Sequence, residues 1–434
     1  MNLNQLKLLF SEHGCQKVYA KVLSPNDNSK NQVYLGGSFE ILNIFPISEI
    51  KTEAPGDWNR ERFKASINFS WLTNDGTLCS APNSQLILYP KYPEVRFSGF
   101  LSGCINPPSE LMSKRLSGRV LFLSVTNNGQ ILGYVTSAES PLAHEFESLN
   151  GLEEIGIFKV VNLPESQNNK ERLIKELYRI HNLNWITSKR LDKYGNILPC
   201  GYSNCGGYTL EAELGITPNG FSEPDYLGWE IKQFSVKSFN RLNSAIVTLM
   251  TPEPTDGFYT QEGVEAFIRK YGYDDTKGRE NRMNFGGIYK SNKEHARTNM
   301  TIKLIGYDFE TGKIRQTDGR IALIDRENNE AASWSFSSLL LHWNRKHNQA
   351  CYVPSISIKE IDRKYKFGNN IILGTGTDFQ LFLKQFSIGN IYYDPGIKIE
   401  NIFTKPTIKR RSQFRIKTKY LTDLYKHNEI ISLV

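Results

Sequence analysis

The sequence predicts a two-domain protein, with a β-rich N-terminal domain over residues 1–163 and an α/β domain over residues 164–434. Three observations carry this. A chain of 434 residues exceeds what one ordinary hydrophobic core organises. Short apolar stretches separated by turn signals fill the first part, whereas strand-like and helix-like patterns are mixed in the second. Between them "NLPESQNNKE", from Asn162, has the Pro, Asn, Ser and charges of a linker.

In the first part, "MNLNQLKLLFSEHG" sets Leu6, Leu8, Leu9 and Phe10 among polar residues and reads as a short amphipathic helix, not a signal peptide. Strand candidates follow: "KVYAKVL", "SINFSWL", "QLILYP", "RVLFLSVT" and "QILGYVTS". The turn signals "SPNDNSKN", "TNDG", "SGCINPPS" and "TNNG" punctuate the region. Regular short strands suggest a small barrel or sandwich. In the second part, "KERLIKELYRIHNL" places Leu173, Ile174, Leu177 and Ile180 on one helical face. Strands are expected at "WEIKQF", "AIVTLM", "TIKLIGYDF", "RIALID", "CYVPSI" and "NIYYDPGIKIE". Helices are expected at "GVEAFIRKYG", "SWSFSSLLLHWNRKH", "DFQLFLKQF" and "KYLTDLYKH". "LGTGTD" lacks the lysine and spacing of a P-loop and reads as a strand-to-helix turn capped by Thr377 or Asp378.

Composition narrows the class. An apolar content of 39% with 12% aromatics suits a folded chain, and no apolar run is long enough to cross a bilayer. Of Cys15, Cys79, Cys104, Cys200, Cys205 and Cys351, only Cys200 and Cys205 are neighbours, and no second pair completes a zinc site. They read as the reduced thiols of a cytoplasmic protein. The net charge of +8 is modest for this length and informative only where it concentrates. "KPTIKRRSQFRIKTK" (Lys405 to Lys419) carries seven cations and no acid, with Ile408, Phe414 and Ile416 interleaved. Such a run can be a solvated strand–turn, but the interleaved apolar residues argue for a folded segment, and a folded basic strand suits a phosphate backbone.

The most informative stretch is "PDYLGWEIKQF", Pro224 to Phe234. Leu227, Trp229 and Ile231 alternate with Gly228, Glu230 and Lys232, which predicts a strand with Glu230 and Lys232 side by side opposite a buried face. A Glu–Lys pair on a strand usually marks a solvated edge. Asp225 at the start of the strand gives it chemical interest, because two carboxylates can hold a hard divalent cation and an ammonium can position water or a phosphate oxygen. Upstream, "YTLEAELG" reads as a short helix stopped by Gly215, and Glu211 on it supplies a third carboxylate where the helix folds back over the strand. His342 and His347, five apart on one helix, do not share a face and read as surface or packed histidines.

"GGYTLEAELGITPNG…PDYLGWEIKQFS" resembles the catalytic segment of the MvaI/BcnI family of restriction endonucleases, whose PD-(D/E)xK motif has the same Asp-x4-Glu-x-Lys spacing after a helical Glu. "LIKELYRIHNLNWITSKRLDKYGNILP" before it and "NIYYDPGIKIE…RRSQFRI" after it extend the resemblance over most of residues 168–425. The resemblance implies a restriction-endonuclease-like α/β fold and Mg²⁺-dependent hydrolysis of double-stranded DNA by a monomer. Asp225 and Glu230 match the metal-binding carboxylates, Lys232 the motif lysine and Glu211 the helical acid. Asp394, Lys398, Arg410, Arg411 and Arg415 are the candidates for DNA contact, since arginine pairs readily with guanine in the major groove.

The N-terminal stretches "VYAKVLSPNDNSKNQVYL" and "LYPKYPEVRFSGFL" resemble the two DNA-contacting arms of the EcoRII-type effector domain, a pseudobarrel also found in plant B-three transcription factors. On that resemblance Ser24, Asn26, Asp27, Asn28, Lys30, Asn31 and Gln32 lie on the first arm. Lys91, Tyr92, Glu94 and Arg96 lie on the second. The two resemblances together imply a Type IIE restriction enzyme acting on 5′-CCWGG in the prokaryotic cytoplasm, with a second copy of the site bound as effector. A MutH-like strand-nicking repair nuclease and a DNA-binding regulator with an inactive nuclease fold are the competing expectations. The intact Asp225, Glu230 and Lys232 set argues against the second.

Overall fold

The computed structural model describes residues 1–25, 31–53, 61–90, 94–126, 128–163, 169–202, 204–217 and 225–433. The chain divides into two units, Met1–Asn169 and Lys170–Val434.

Phe69 and Phe97 lie on strands of two different sheets and meet edge to face with ring centroids 4.9 Å apart. This contact joins the two β-layers of the N-terminal unit. One sheet has seven strands, in the order Glu154–Ile155, Phe158–Asn162, Cys15–Leu23, Arg119–Thr126, Ile131–Thr136, Phe69–Leu72 and Leu78–Ser80. The other has five: Val33–Gly36, Glu94–Ser98, Gln85–Tyr89, Arg62–Ser66 and Glu49–Glu53. The expected N-terminal helix spans Leu3–Glu12, opened by a capping box between Asn2 and Gln5, and buries Leu3, Leu6 and Phe10. Those residues share a core with Val18, Val120, Phe122 and Leu132 of the seven-stranded sheet.

In the second unit the principal sheet is built around Gln349–Lys359, a strand of 11 residues. It pairs antiparallel with Arg363–Phe367 and Asn370–Thr377, and parallel with Glu230–Ser235. The outer strands are Ile186–Thr187 and Tyr425–Ser432. The helices Asn169–Asn182 and Cys205–Glu213 contribute Leu173, Leu177, Ile180 and Leu210 to a core that also holds Trp229, Ile231, Val353 and Leu373. Smaller sheets complete the unit: Ile246–Met250 with Phe414–Lys417 and Ile391–Tyr393, Arg282–Gly286 with Gly396–Glu400 and Thr407–Lys409, and Thr301–Ile305 with Arg320–Ile324 and Glu330–Ser335. Among the described residues no helix is long and apolar enough to cross a membrane.

Four expectations are corrected. "KYLTDLYKH" forms two 3₁₀ turns, Thr418–Tyr420 and Thr422–Leu424, and then the strand Tyr425–Ser432. Ladder pairing to Asn370–Thr377 overrides its helical spacing. "SWSFSSLLLHWNRKH" becomes helical only at Phe336, because Ser335 is the N-cap and accepts from Ser338 N–H at 3.2 Å, while Trp334 stays in a strand. The motif strand starts at Glu230, and the residues before it form a tight turn. Tyr226 and Trp229 exchange backbone hydrogen bonds across Leu227 (φ 51°) and Gly228 (φ 83°). Finally, Cys200 and Cys205 are joined as a disulfide with their Cα atoms 5.9 Å apart. Cys205 opens the helix Cys205–Glu213, which folds its thiol back toward Cys200 and leaves both cysteines buried.

Gly374 shows how tightly the principal sheet is filled. A Cβ there would lie 2.4 Å from the ring of Tyr425, whose hydroxyl is hydrogen-bonded to that of Tyr352 at 2.8 Å. The buried ring has no room to retreat. Gly374→Ala is therefore expected to destabilise the protein by roughly 1–3 kcal/mol through overpacking, read as a lower urea midpoint with an unchanged slope.

Candidate active site

The turn at Tyr226–Trp229 places Asp225 beside the strand that follows it. The Ile231 N–H donates to Asp225 Oδ2 at 2.9 Å, so the aspartate is tied across the turn while its second oxygen stays outside that bond. Glu230, the first residue of the strand, is only 3% exposed. Its expected place on an open face is corrected accordingly: both faces of the strand are covered, with Trp229, Ile231 and Phe234 buried as well. Lys232, two residues on and so on the same face, donates from Nζ to Glu230 Oε1 at 2.9 Å. Glu230 Oε2 is buried with no hydrogen-bond partner.

The helix Cys205–Glu213 lies against this strand at close range. A Cβ on Gly206 would come within 2.8 Å of Gln233 Oε1, so the glycine permits the approach that brings in Glu211. Glu211 joins the other two acids electrostatically. Burial raises its carboxyl to about 7, aided by the charges of Asp225 and Glu230 and opposed by Lys232 and Lys346. Burial and the Glu230 charge raise Asp225 to about 6, against the Ile231 N–H and the same two lysines. Burial pushes Glu230 up as well, but Lys232 and Lys346 outweigh it and hold this carboxyl below its ordinary value.

One neighbour was missed in the sequence because nothing local marks it. Lys346, on the helix Phe336–His347, has its Nζ 3.9 Å from Glu230 Oε1. His347, read in the sequence as a surface or packed histidine, is the packed kind: fully buried and stacked on Trp343 at 4.1 Å. Its Nε2 bonds the Leu249 carbonyl at 3.0 Å and its Nδ1 faces the Tyr425 hydroxyl at 3.4 Å. Burial, with Lys232 nearby, lowers its pKa to about 3, so it stays neutral.

The DNA-contact candidates fall into separate places. Arg415 pairs with Asp394 at 2.5 Å and donates to Thr248 Oγ1 at 3.2 Å, so these two are brought together. Lys398 pairs with Glu400 at 2.6 Å. It lines a cavity of about 300 Å³ with Tyr273, Asp275, Asn284 and the cations Lys277, Arg279 and Arg282, which lay outside the sequence reading. Arg410 and Arg411 are exposed in the link between Thr407–Lys409 and Phe414–Lys417. In the N-terminal unit, Arg96 pairs with Glu94 at 3.1 Å and donates to Gln32 at 3.4 Å, which joins the two expected arms. Ser24 and Asn31 are exposed. Asn26, Asp27, Asn28, Lys30, Lys91 and Tyr92 lie outside the described residues.

Buried Glu230 at the head of a strand, with Lys232 beside it, partly buried Asp225 before it and Glu211 on the covering helix, makes up the candidate centre, and the class, a DNA nuclease of the restriction-endonuclease kind, is given by the family match. The family model described as the MvaI/BcnI restriction endonuclease family matches residues 174–425, and the chain belongs to that family. Among solved structures it is similar to restriction endonuclease MvaI in complex with its cognate DNA substrate, at 20% identity and a TM-score of 0.46, over 62% of this chain and 99% of that one. MvaI in the absence of DNA is similar at 20% identity and a TM-score of 0.34, over 61% and 98%. No curated protein sequence matches. Members of the family are in general dependent on a divalent metal.

The raised carboxyls fix a pH response. Asp225 and Glu211 bind protons more tightly folded than unfolded, so their contribution to stability is complete below the ordinary values of 3.8 and 4.5 and is lost as pH rises through about 6 and 7. The metal-free melting temperature is expected to fall across that window more steeply in the wild type than in the Asp225→Asn, Glu211→Gln double variant. Calorimetry at a series of pH values measures the difference.

Proposed function

We propose that the chain is a site-specific Type IIE restriction endonuclease that hydrolyses double-stranded DNA at 5′-CCWGG as a monomer, with the N-terminal unit, a DNA-binding pseudobarrel, holding a second copy of the site. The observation that carries the nuclease assignment is the buried Glu230, whose Oε1 is bound by Lys232 and whose Oε2 has no partner. An orphaned buried carboxylate oxygen is costly unless something binds it.

That oxygen and the outward oxygen of Asp225 fit a hard cation. Among the described residues no group of three or more His, Cys, Asp or Glu side chains is arranged to hold a metal. Mg²⁺ nonetheless suits the pair, because it commonly uses one or two carboxylates and completes its shell with water and substrate phosphate. Asp225 and Glu230 would hold it, and when bound it supplies Lewis-acid polarisation of the scissile phosphate and a more acidic water. Lys232 orients the attacking water and balances charge gathering on the phosphate oxygens. Glu211 adds a carboxylate from the helix side, toward Lys232 and that water.

The family assignment supports cleavage at a short pseudosymmetric site, and the resemblance of the motif and of the N-terminal arms supports CCWGG over the CCSGG of BcnI-like proteins. Arg415, clamped by Asp394, is the best-oriented candidate base reader, while the exposed Arg410 and Arg411 suit phosphate. A prokaryotic cytoplasm suits this activity. The Cys200–Cys205 bond is the feature at odds with that compartment, although its burial shields it from reductants.

Plasmids bearing CCWGG and CCSGG sites should yield discrete fragments with Mg²⁺ and none with EDTA. Asp225→Ala should be inactive, and Lys232→Ala should be slower by about 10²–10⁴-fold. Nicks without double-strand breaks would support the repair-type reading, and site-specific binding without any cutting would support a regulator. For the effector role, a single-site plasmid should be cut faster when a short duplex carrying the same site is added in trans. An unchanged rate would remove the Type IIE part of the reading.

A further inference from the structure

Lys346 approaches the motif from a different element. It is the penultimate residue of the helix Phe336–His347, and the helix end beneath it is pinned by the fully buried His347, stacked on Trp343 and bonded to the Leu249 carbonyl. The position of its backbone is therefore set by the core, although its side chain is 39% exposed. Its ammonium stands 3.9 Å from Glu230 Oε1, within reach of charge attraction and beyond hydrogen-bonding distance. That oxygen already accepts from Lys232 at 2.9 Å. Lys346 thus adds positive charge to the centre while its three N–H donors are left unused by Glu230.

A lysine in the last turn of a helix ordinarily complements the helix dipole and points into water. That accounts for the sign of the charge here but not for its place beside an almost fully buried carboxylate on another strand. A divalent cation against Glu230 would repel the ammonium, and the partner that arrives with substrate is an anion: a phosphate oxygen. A compact ammonium on a flexible stem suits that partner as a point charge.

We propose that Lys346 is a second active-site lysine, which rests beside Glu230 in the DNA-free protein and holds a phosphate oxygen of the cleaved strand in the complex. This rests on the nuclease centre argued above.

The test uses the full-length protein, a short duplex that the wild type cuts, and the variants Lys346→Ala and Lys346→Arg. Binding is measured with Ca²⁺ over a range of salt concentrations, and single-turnover cleavage with Mg²⁺. For Lys346→Ala the expected results are about tenfold weaker binding, a plot of log affinity against log salt shallower by about one ion, and cleavage slower by about a hundredfold. Lys346→Arg should recover most of the binding. Wild-type binding and rate in Lys346→Ala would overturn the proposal. So would a change confined to the Mg²⁺ concentration for half-maximal rate, which would mean that the lysine only tunes Glu230. Asp225→Ala and Lys232→Ala run in parallel separate the two readings. If both cut at the wild-type rate, the nuclease centre is misplaced and both readings fall; if Asp225→Ala is dead and Lys232→Ala is slowed while Lys346→Ala is unaffected, only this one falls.

Discussion

The second unit is organised around one constraint: an ionised carboxylate, Glu230, is almost wholly removed from water at the start of a strand. Left alone, such a charge costs several kcal/mol. Lys232 answers it from the same strand face and Lys346 from a helix far away in sequence. Each answer demands structure. Lys232 needs the strand to run straight beside Gln349–Lys359, and Lys346 needs a helix end anchored in the core by Trp343 and His347. Asp225 can join them only because Leu227 and Gly228 both adopt positive φ and turn the chain back onto Ile231.

How much of this was legible follows the range of the interactions. Local chemistry was readable: the burial of Trp229 and Ile231, the halt of the Cys205–Glu213 helix at Gly215 with φ 73°, and the cap at Asp378, whose side chain accepts from Gln380 N–H. Burial of Glu230 was not readable, because a Glu–Lys alternation has the same spelling on a wet face as on a covered one. Lys346 was hidden for a related reason. In the sequence it is one cation in "NRKH", and only the tertiary fold sets it beside an acid more than a hundred residues earlier. The strand Tyr425–Ser432 deceived by its spacing: "KYLTDLYKH" is helical in pattern, but the sheet offers a full ladder to its second half.

The basic run near the C-terminus makes a similar point about charge. Its seven cations read as one patch, yet the run is split between two sheets, and Arg415 is committed to Asp394 while Arg410 and Arg411 face solvent. Arg96 in the N-terminal unit is likewise engaged with Glu94 and Gln32. A cation held by an acid presents its donors in a fixed direction, which suits reading a base edge. A free one suits the phosphate backbone, where direction matters less.

The electrostatics of the motif set burial of the acids against the charges of the nearby lysines. Three carboxyls interact there, and two of them, Glu211 and Asp225, resist ionisation chiefly because burial disfavours their charged forms, with neighbouring carboxylates adding to it and Lys232 and Lys346 opposing it. The Oε2 of Glu230 is left without a hydrogen-bond partner, and helix and strand come close together at Gly206. On the proposed reading, a divalent cation at Asp225 and Glu230 would favour the ionised forms of Glu211 and Asp225 and weaken the hold of Glu230 on the lysines. On that reading a metal and a DNA phosphate together would balance the charges gathered at the motif.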